Sequence, residues 1–294
     1  MEDDDMIVVP GPSSPKVGEG VAQIIGAKKV GVDYKNFPDG ESYIRVAEGV
    51  KGEEVVLVHT TYPQPDKRVI ELLLLIDTLK DLGATKVRVV VPYMAYSRQD
   101  TRFRDGEAVS VNTIFRLIEA AGADGFYTVD IHKELSLGEF KIKAKNLHAT
   151  GVIADHLRGM GLKKPYILSP DKGALDIARR IGERIGAEYG NFEKARDRIT
   201  GATTVKGDRV DARGRDVVIT DDLISTGGTI ANACKILKDG GARRVIAVCT
   251  HPLLVAGAYE RMKGAGLDEV LGTDTVESEI SKISVAPLIA KEFR

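Results

Sequence analysis

The stretch Val217-Val218-Ile219-Thr220-Asp221-Asp222-Leu223-Ile224-Ser225-Thr226-Gly227-Gly228-Thr229 decides the fold. Its β-branched opening reads as a buried strand over Asp216 to Thr220, and a hydroxyl- and glycine-rich turn then leads into a helix running toward Leu237. A strand emptying into a turn at a helix N-terminus presents free backbone N–H groups, the positive end of the helix dipole and side-chain hydroxyls, which together suit a phosphate dianion. Asp221 and Asp222 would repel that phosphate, so they read as acceptors for sugar hydroxyls or as carboxylates that hold a hydrated magnesium ion. Phosphate at one end and acidic acceptors at the other describe a sugar phosphate.

Outward from this segment the same alternation recurs. Short β-branched runs at Met6 to Val9, Val55 to His59, Lys86 to Val91, Phe126 to Val129, Tyr166 to Ser169 and Arg244 to Cys249 alternate with helix-period stretches, the pattern of βαβ units around a mainly parallel sheet. One helix is expected to open at Asp66 as N-cap, turn Val69, Leu72, Leu73, Ile76 and Leu79 inward and end at Gly83. Lys80-Asp81-Leu82-Gly83-Ala84-Thr85-Lys86-Val87 is echoed by Lys238-Asp239-Gly240-Gly241-Ala242-Arg243-Arg244-Val245, and each strand that follows runs into a proline, Pro92 or Pro252. The echo implies two halves of one α/β design, divided near Thr150 into 1–149 and 150–294, with a helix over Thr150 to Met160 opening the second.

Composition excludes several classes. The chain has 294 residues, 43% hydrophobic and 29% charged, enough for two packed cores and unlike a disordered or fibrous chain. With 42 basic and 43 acidic residues the net charge is −1, so nothing draws the chain as a whole to nucleic acid or to an anionic membrane. The longest aliphatic run, Leu72 to Ile76, is far shorter than the roughly 18 residues of a membrane span. The acidic start Met1-Glu2-Asp3-Asp4-Asp5 does not read as a secretory leader, and Cys234 and Cys249 fit a reducing cytoplasm better than a disulfide framework.

Four further segments carry chemistry. Pro92-Tyr93-Met94-Ala95-Tyr96-Ser97-Arg98-Gln99-Asp100, with Arg102 and Arg104 behind it, follows a strand, where guanidiniums would face the ligand crevice of an α/β fold. Phe37-Pro38-Asp39-Gly40-Glu41 sets an aromatic ring beside acceptors, a pairing that can stack on a base and accept from its amine. Asp130-Ile131-His132 leaves a strand end. Ser169-Pro170-Asp171-Lys172-Gly173-Ala174 repeats the strand, turn, helix logic, with Lys172 as a point charge, Gly173 open to close backbone approach and Asp171 as a possible metal carboxylate.

In this order and over nearly the whole chain, these motifs resemble those of phosphoribosyl-pyrophosphate (PRPP) synthetases. The resemblance implies an α/β fold of two related type I phosphoribosyltransferase-like domains, each a mainly parallel sheet flanked by helices, with the ATP segments in 1–149. It implies ATP contacts by Phe37, Asp39, Glu41, Arg98, Gln99, Arg102 and His132, with the Phe37 loop reading adenine from a neighbouring subunit of a homo-oligomer. Ser225, Thr226, Gly227, Gly228 and Thr229 would hold the phosphate of ribose 5-phosphate, and Asp221 and Asp222 would face its hydroxyls. Asp171, Lys172 and Gly173 match the pyrophosphate loop, and His132 and Asp171 the magnesium side. Lys194 and Arg196, in Glu193-Lys194-Ala195-Arg196-Asp197-Arg198, match the catalytic loop, whose cations stabilise charge in phosphoryl-type transfer.

The implied activity is that of a ribose-phosphate diphosphokinase with Mg2+, acting on ATP and ribose 5-phosphate in the cytoplasm, with no nucleic-acid or membrane partner. A type I phosphoribosyltransferase that consumes PRPP would leave the Phe37 and Arg98 segments without a purpose. A silent regulatory subunit of the family would lack the cations Lys194 and Arg196, and both are present. Thr101-Arg102-Phe103-Arg104-Asp105-Gly106-Glu107 departs from the basic stretch of regulated bacterial and animal members and resembles archaeal ones.

Overall fold

The computed structural model describes residues 6–47, 49–196, 203–206 and 211–294, the side chains of 193–196 and 203–206 excepted. The chain forms two compact units. The first runs through His148 and is completed by Ser284–Arg294, and the second is Ala149–Ile283.

In the first unit the strands are β1 (Ile7–Pro10), β2 (Lys28–Lys29), β3 (Val32–Asn36), β4 (Ser42–Val46), β5 (Glu54–Val58), β6 (Lys86–Val91), β7 (Gly125–Val129) and β8 (Lys143–Leu147). Helices α1 (Pro15–Ile25), α2 (Pro65–Asp81) and α3 (Ser110–Ala120) lie between them. Six strands make a parallel sheet in the order β2-β1-β5-β6-β7-β8, and β3 and β4 form a separate antiparallel hairpin. Every residue of β5 and β7 is buried, as expected of a parallel sheet covered on both faces. Phe115, Phe126 and Phe140 meet in that core, with Phe140 centred 4.2 Å from Phe115 and 4.6 Å from Phe126.

The second unit holds α4 (Thr150–Gly159), β9 (Tyr166–Ser169), α5 (Leu175–Ile185), β10 (Glu188–Asn191), β11 (Glu193–Arg196), β12 (Thr203–Lys206) and β13 (Asp216–Ile224). It continues with α6 (Gly228–Asp239), β14 (Arg244–Pro252), α7 (Ala258–Gly264), β15 (Glu269–Thr273) and β16 (Ser281–Ile283). Its parallel sheet has the order β10-β9-β13-β14-β15-β16, with β11 and β12 as a separate antiparallel pair. Adding eight to each strand label of the first unit reproduces the second, hairpin included.

The echo in the sequence falls at equivalent connections, α2 to β6 and α6 to β14, and it extends to atoms. The Asp124 carboxylate accepts from Lys80 Nζ at 3.1 Å and from the Val87 N–H at 2.7 Å. In the second unit Asp268 accepts from Lys238 Nζ at 2.6 Å and from the Val245 N–H at 2.7 Å. A carboxylate thus ties each helix end to the strand that follows it.

Three features differ from expectation. Helix α2 begins at Pro65 rather than being capped by Asp66, which lies in the first turn, where its charge suits the dipole, and accepts from the Tyr96 hydroxyl. Its buried face contains Leu75 and Glu71, while Leu73 is only partly buried. Residues 284–294, read with the second half, complete the first unit. Helix α8 (Ala286–Ala290) lies so close to α1 that a Cβ on Gly20 would stand 2.8 Å from that of Ala286. Beyond it, Phe293 meets the Tyr127 ring at 5.0 Å, Glu292 pairs with Lys145 at 2.7 Å, and Arg294 donates to the Ile24 carbonyl at 2.9 Å.

Candidate active site

Strand β13 runs to Ile224, four residues beyond the expected end, because β14 continues to pair with it through Pro252. Asp221 and Asp222 therefore lie within the strand, Asp221 opposite Cys249 in register. The Asp222 N–H donates to Asp221 Oδ1 at 3.0 Å. Burial, the neighbouring Asp222 and the charge of Asp171 push the Asp221 carboxyl up to about 8. The same influence of Asp171 brings the two acidic segments of this unit together electrostatically.

Past Ile224 the chain turns through Ser225, half-buried, and Thr226, exposed, to Gly227, whose φ of 72° precedes the first residue of α6, Gly228. The turn is pinned from outside: the Val255 N–H donates to the Ser225 carbonyl at 3.0 Å and the Arg261 guanidinium to that of Thr226. Side-chain capping is absent at Gly227, so the first amides of α6 are available to an anion. Thr229 is exposed on the first turn. In the adjacent strand β9, Ser169 leads to Asp171, whose Oδ1 accepts the Gly173 N–H at 2.9 Å, and Lys172 and Gly173 are exposed. Both loops leave the carboxyl ends of neighbouring strands, where open α/β sheets bind ligands.

Lys194 and Arg196 lie in β11, opposite Val205 and Thr203 of β12, and their side chains are outside the described residues.

In the first unit, the carboxyl ends of β6 and β7 carry the Arg98 and His132 loops. Arg98, Gln99, Arg102 and His132 are all exposed. Gln99 Oε1 accepts from the Ser110 hydroxyl, and Arg102 Nε donates to the Glu107 carbonyl at 2.9 Å, so the loop is braced on itself. Lys133 joins the two loops, its Nζ 3.0 Å from Asp100 Oδ2 and 3.2 Å from Thr101 Oγ1. Asn146 accepts from the Ile131 N–H at 3.0 Å, and His148, which has no role in the sequence reading, lies 3.2 Å from Asp130. Asn146 and His148 lie on and just after β8, where neither is part of a motif, and Lys133, next to His132, shows its partner Asp100 only in three dimensions.

Phe37, Asp39 and Glu41 form the exposed tip of the β3–β4 hairpin. The Phe37 N–H donates to the Glu41 carbonyl at 2.8 Å and the Glu41 N–H to Asp39 Oδ1 at 3.1 Å. The Phe37 ring is 41% exposed and lies edge-on to Tyr43 at 6.0 Å, with Lys35 Nζ 5.5 Å from its centroid. Among the described residues, no hydrogen bond or ion pair joins this tip to the Arg98 loop, and no group of three or more His, Cys, Asp or Glu is arranged to hold a metal. No helix among them is long and apolar enough to cross a membrane.

The second unit's fold and loops define a phosphoribosyltransferase-type domain, and residues 140–285 match the family model of the phosphoribosyl transferase domain. Residues 6–122 match that of the N-terminal domain of ribose phosphate pyrophosphokinase. A ribose-phosphate pyrophosphokinase of Saccharolobus solfataricus is 44% identical over 290 residues, 97% of this chain and 99% of the relative. One from Methanothermobacter thermautotrophicus is 44% identical over 278 residues, 95% of this chain and 96% of the relative. The crystal structure of phosphoribosylpyrophosphate synthetase from Mycobacterium smegmatis superposes with a TM-score of 0.84 at 29% identity, covering 99% of this chain and 98% of that one. The chain belongs to the ribose-phosphate pyrophosphokinase family.

Proposed function

We propose that this protein is a ribose-phosphate diphosphokinase that transfers the β,γ-pyrophosphoryl group of MgATP to the anomeric hydroxyl of ribose 5-phosphate, giving PRPP and AMP. The observation that carries this is the β13–α6 turn, an uncapped helix N-terminus preceded by a half-buried acidic pair, in a chain that also bears the arginine loop after β6. In this reading the amides and hydroxyls of Ser225 to Thr229 fix the 5-phosphate. Asp221 and Asp222 accept from the ribose hydroxyls, bonds that offset the burial and the neighbouring charge that raise Asp221.

Arg98, Gln99 and Arg102 hold the triphosphate, and Lys172 and Gly173 the transferred pyrophosphate. The anomeric oxygen forms a bond to the β-phosphorus as its proton leaves, and the bridge to the α-phosphate breaks with AMP departing. Lys194 and Arg196 neutralise charge on the nonbridging oxygens, so the protein contributes positioning and electrostatics rather than covalent chemistry.

Magnesium suits the donor set. It commonly takes one or two carboxylates and completes its shell with water and phosphate oxygens. Asp171 adds its charge to that of Asp222 beside Asp221, whose carboxyl burial above all pushes up, and a divalent cation offsets this negative charge. His132 stands on the ATP side as a neighbour of that hydrated ion, which when bound supplies charge neutralisation of the ATP oxygens.

The exposed Phe37 ring and the absence of ties from its hairpin to the Arg98 loop support a tip that reads adenine in a neighbouring subunit of a homo-oligomer. Phe103 and Leu135, each 83% exposed, add apolar surface suited to assembly. Two free, buried cysteines support a cytoplasmic location. The test is AMP release in the presence of magnesium, ATP and ribose 5-phosphate. Absence of AMP from folded protein overturns the reading.

A further inference from the structure

Outside the six-stranded sheet, the β3–β4 hairpin pairs only with itself. Two strands alone are marginally stable, so the hairpin takes its stance from what it rests on. Its far half packs Val32 and Ile44 against the core. Near the tip the attachments are polar. Ser42 and Asn36 face each other across the hairpin directly behind Phe37–Glu41. Lys67 Nζ donates to Asn36 Oδ1 at 2.6 Å, and the Ser42 hydroxyl donates to Glu71 Oε1 at 2.8 Å.

Glu71 is unusual. It is fully buried on a face of α2 otherwise made of Val69, Leu72, Leu75, Ile76 and Leu79. Its other oxygen accepts from Arg68 Nη1 at 2.6 Å and lies 3.9 Å from His59 Nε2, while the Tyr34 hydroxyl of β3 donates to Asn36 Oδ1 at 2.9 Å. Burial pushes its carboxyl up, but the bonds from Ser42 and Arg68 and the charge of Arg68 outweigh burial and hold it below the usual carboxylate range. An apolar side chain of similar volume commonly replaces a buried ion pair without loss of stability. What a carboxylate adds is a set of directional acceptors, and here they engage the hairpin at Ser42 of β4 and the helix at Arg68.

We propose that Glu71 is a positioning residue for nucleotide recognition: through Ser42 it sets the stance of the tip that carries Phe37, Asp39 and Glu41. The inference rests on the reading of that tip as an adenine site.

The experiment uses full-length Glu71→Gln and Ser42→Ala, the second of which removes only the hairpin-side donor and leaves the Arg68 pair intact. Steady-state kinetics are joined to amide hydrogen exchange of residues 36–43. The expected result is faster exchange there in both variants. The KM for ATP rises roughly tenfold in Glu71→Gln and less in Ser42→Ala, as suits the loss of one or two hydrogen bonds to a charged group. The KM for ribose 5-phosphate and kcat at saturation stay unchanged. Unaltered exchange overturns the placing of the hairpin by Glu71. Faster exchange with an unaltered KM for ATP overturns its role in nucleotide binding, and a Phe37→Ala variant that likewise leaves that KM unaltered traces the failure to the assignment of the tip.

Discussion

Gly227 lies against Met262 so closely that a Cβ added to it would stand 3.0 Å from Met262 Cγ and 3.1 Å from the Ala258 carbonyl oxygen. Its φ of 72° is in the left-handed region, where a side chain costs about 1–2 kcal/mol. Gly227→Ala therefore shifts the turn off the helix end it precedes. The KM for ribose 5-phosphate is expected to rise about tenfold or more, with a smaller change in the KM for ATP. Equal change in both would show that the turn does not hold the sugar phosphate.

For Lys194→Ala the expected signature is the opposite kind. A charge that acts chiefly on the transition state lowers turnover on the order of a hundredfold while leaving the KM for ATP nearly as it was. Single-turnover AMP formation at saturating ATP measures the first, and equilibrium ATP binding the second. Weakened binding with normal turnover would remove Lys194 from the catalytic loop.

Acid stability has a distinct early phase. His59 is fully buried, and burial above all lowers it from 6.5 to about 4. Between those values the unfolded chain binds a proton at this position and the folded one does not, so stability is complete above pH 6.5 and falls as pH drops toward 4. The full loss at this position is about 3 kcal/mol. Glu54, which Lys86 above all holds below its ordinary value of 4.5, adds to the loss only at lower pH. Urea midpoints at pH 7, 5.5 and 4.5 check the order, and the His59 ring should remain neutral by NMR at pH 5.5. A profile flat from pH 7 to 4.5 would contradict the buried neutral imidazole.

Removal of residues 284–294 is expected to destabilise the first unit although it deletes no residue of its sheet. Ile289, fully buried, gives a gentler version: Ile289→Ala costs about 3 kcal/mol. Hydrogen exchange should then quicken in α1, whose face carries Val17, Val21 and Ala22. Unchanged exchange in α1 would refute the dependence.

Much of this was legible from residues alone. Strands β6 and β9 have the boundaries that their β-branched runs predict, and the echo between Lys80 and Lys238 marks equivalent connections in two sheets of the same order. What stayed hidden has physical causes. Two adjacent aspartates look like the end of a strand, yet pairing with β14 carries β13 past them. Glu71 sits among leucines at a position where local sequence says only that the helix has a buried face. The partner of α8 is α1, more than 250 residues earlier in the chain, a separation that no local pattern reports.

That pairing bears on how the protein is made. A ribosome delivers α1 well before the residues that cover it, so the first unit waits for the whole second unit before its surface closes. The step that completes the first unit thus comes only after the second unit has been made, and a chain that breaks off before Ser284 carries its flaw at α1, more than 250 residues from the break.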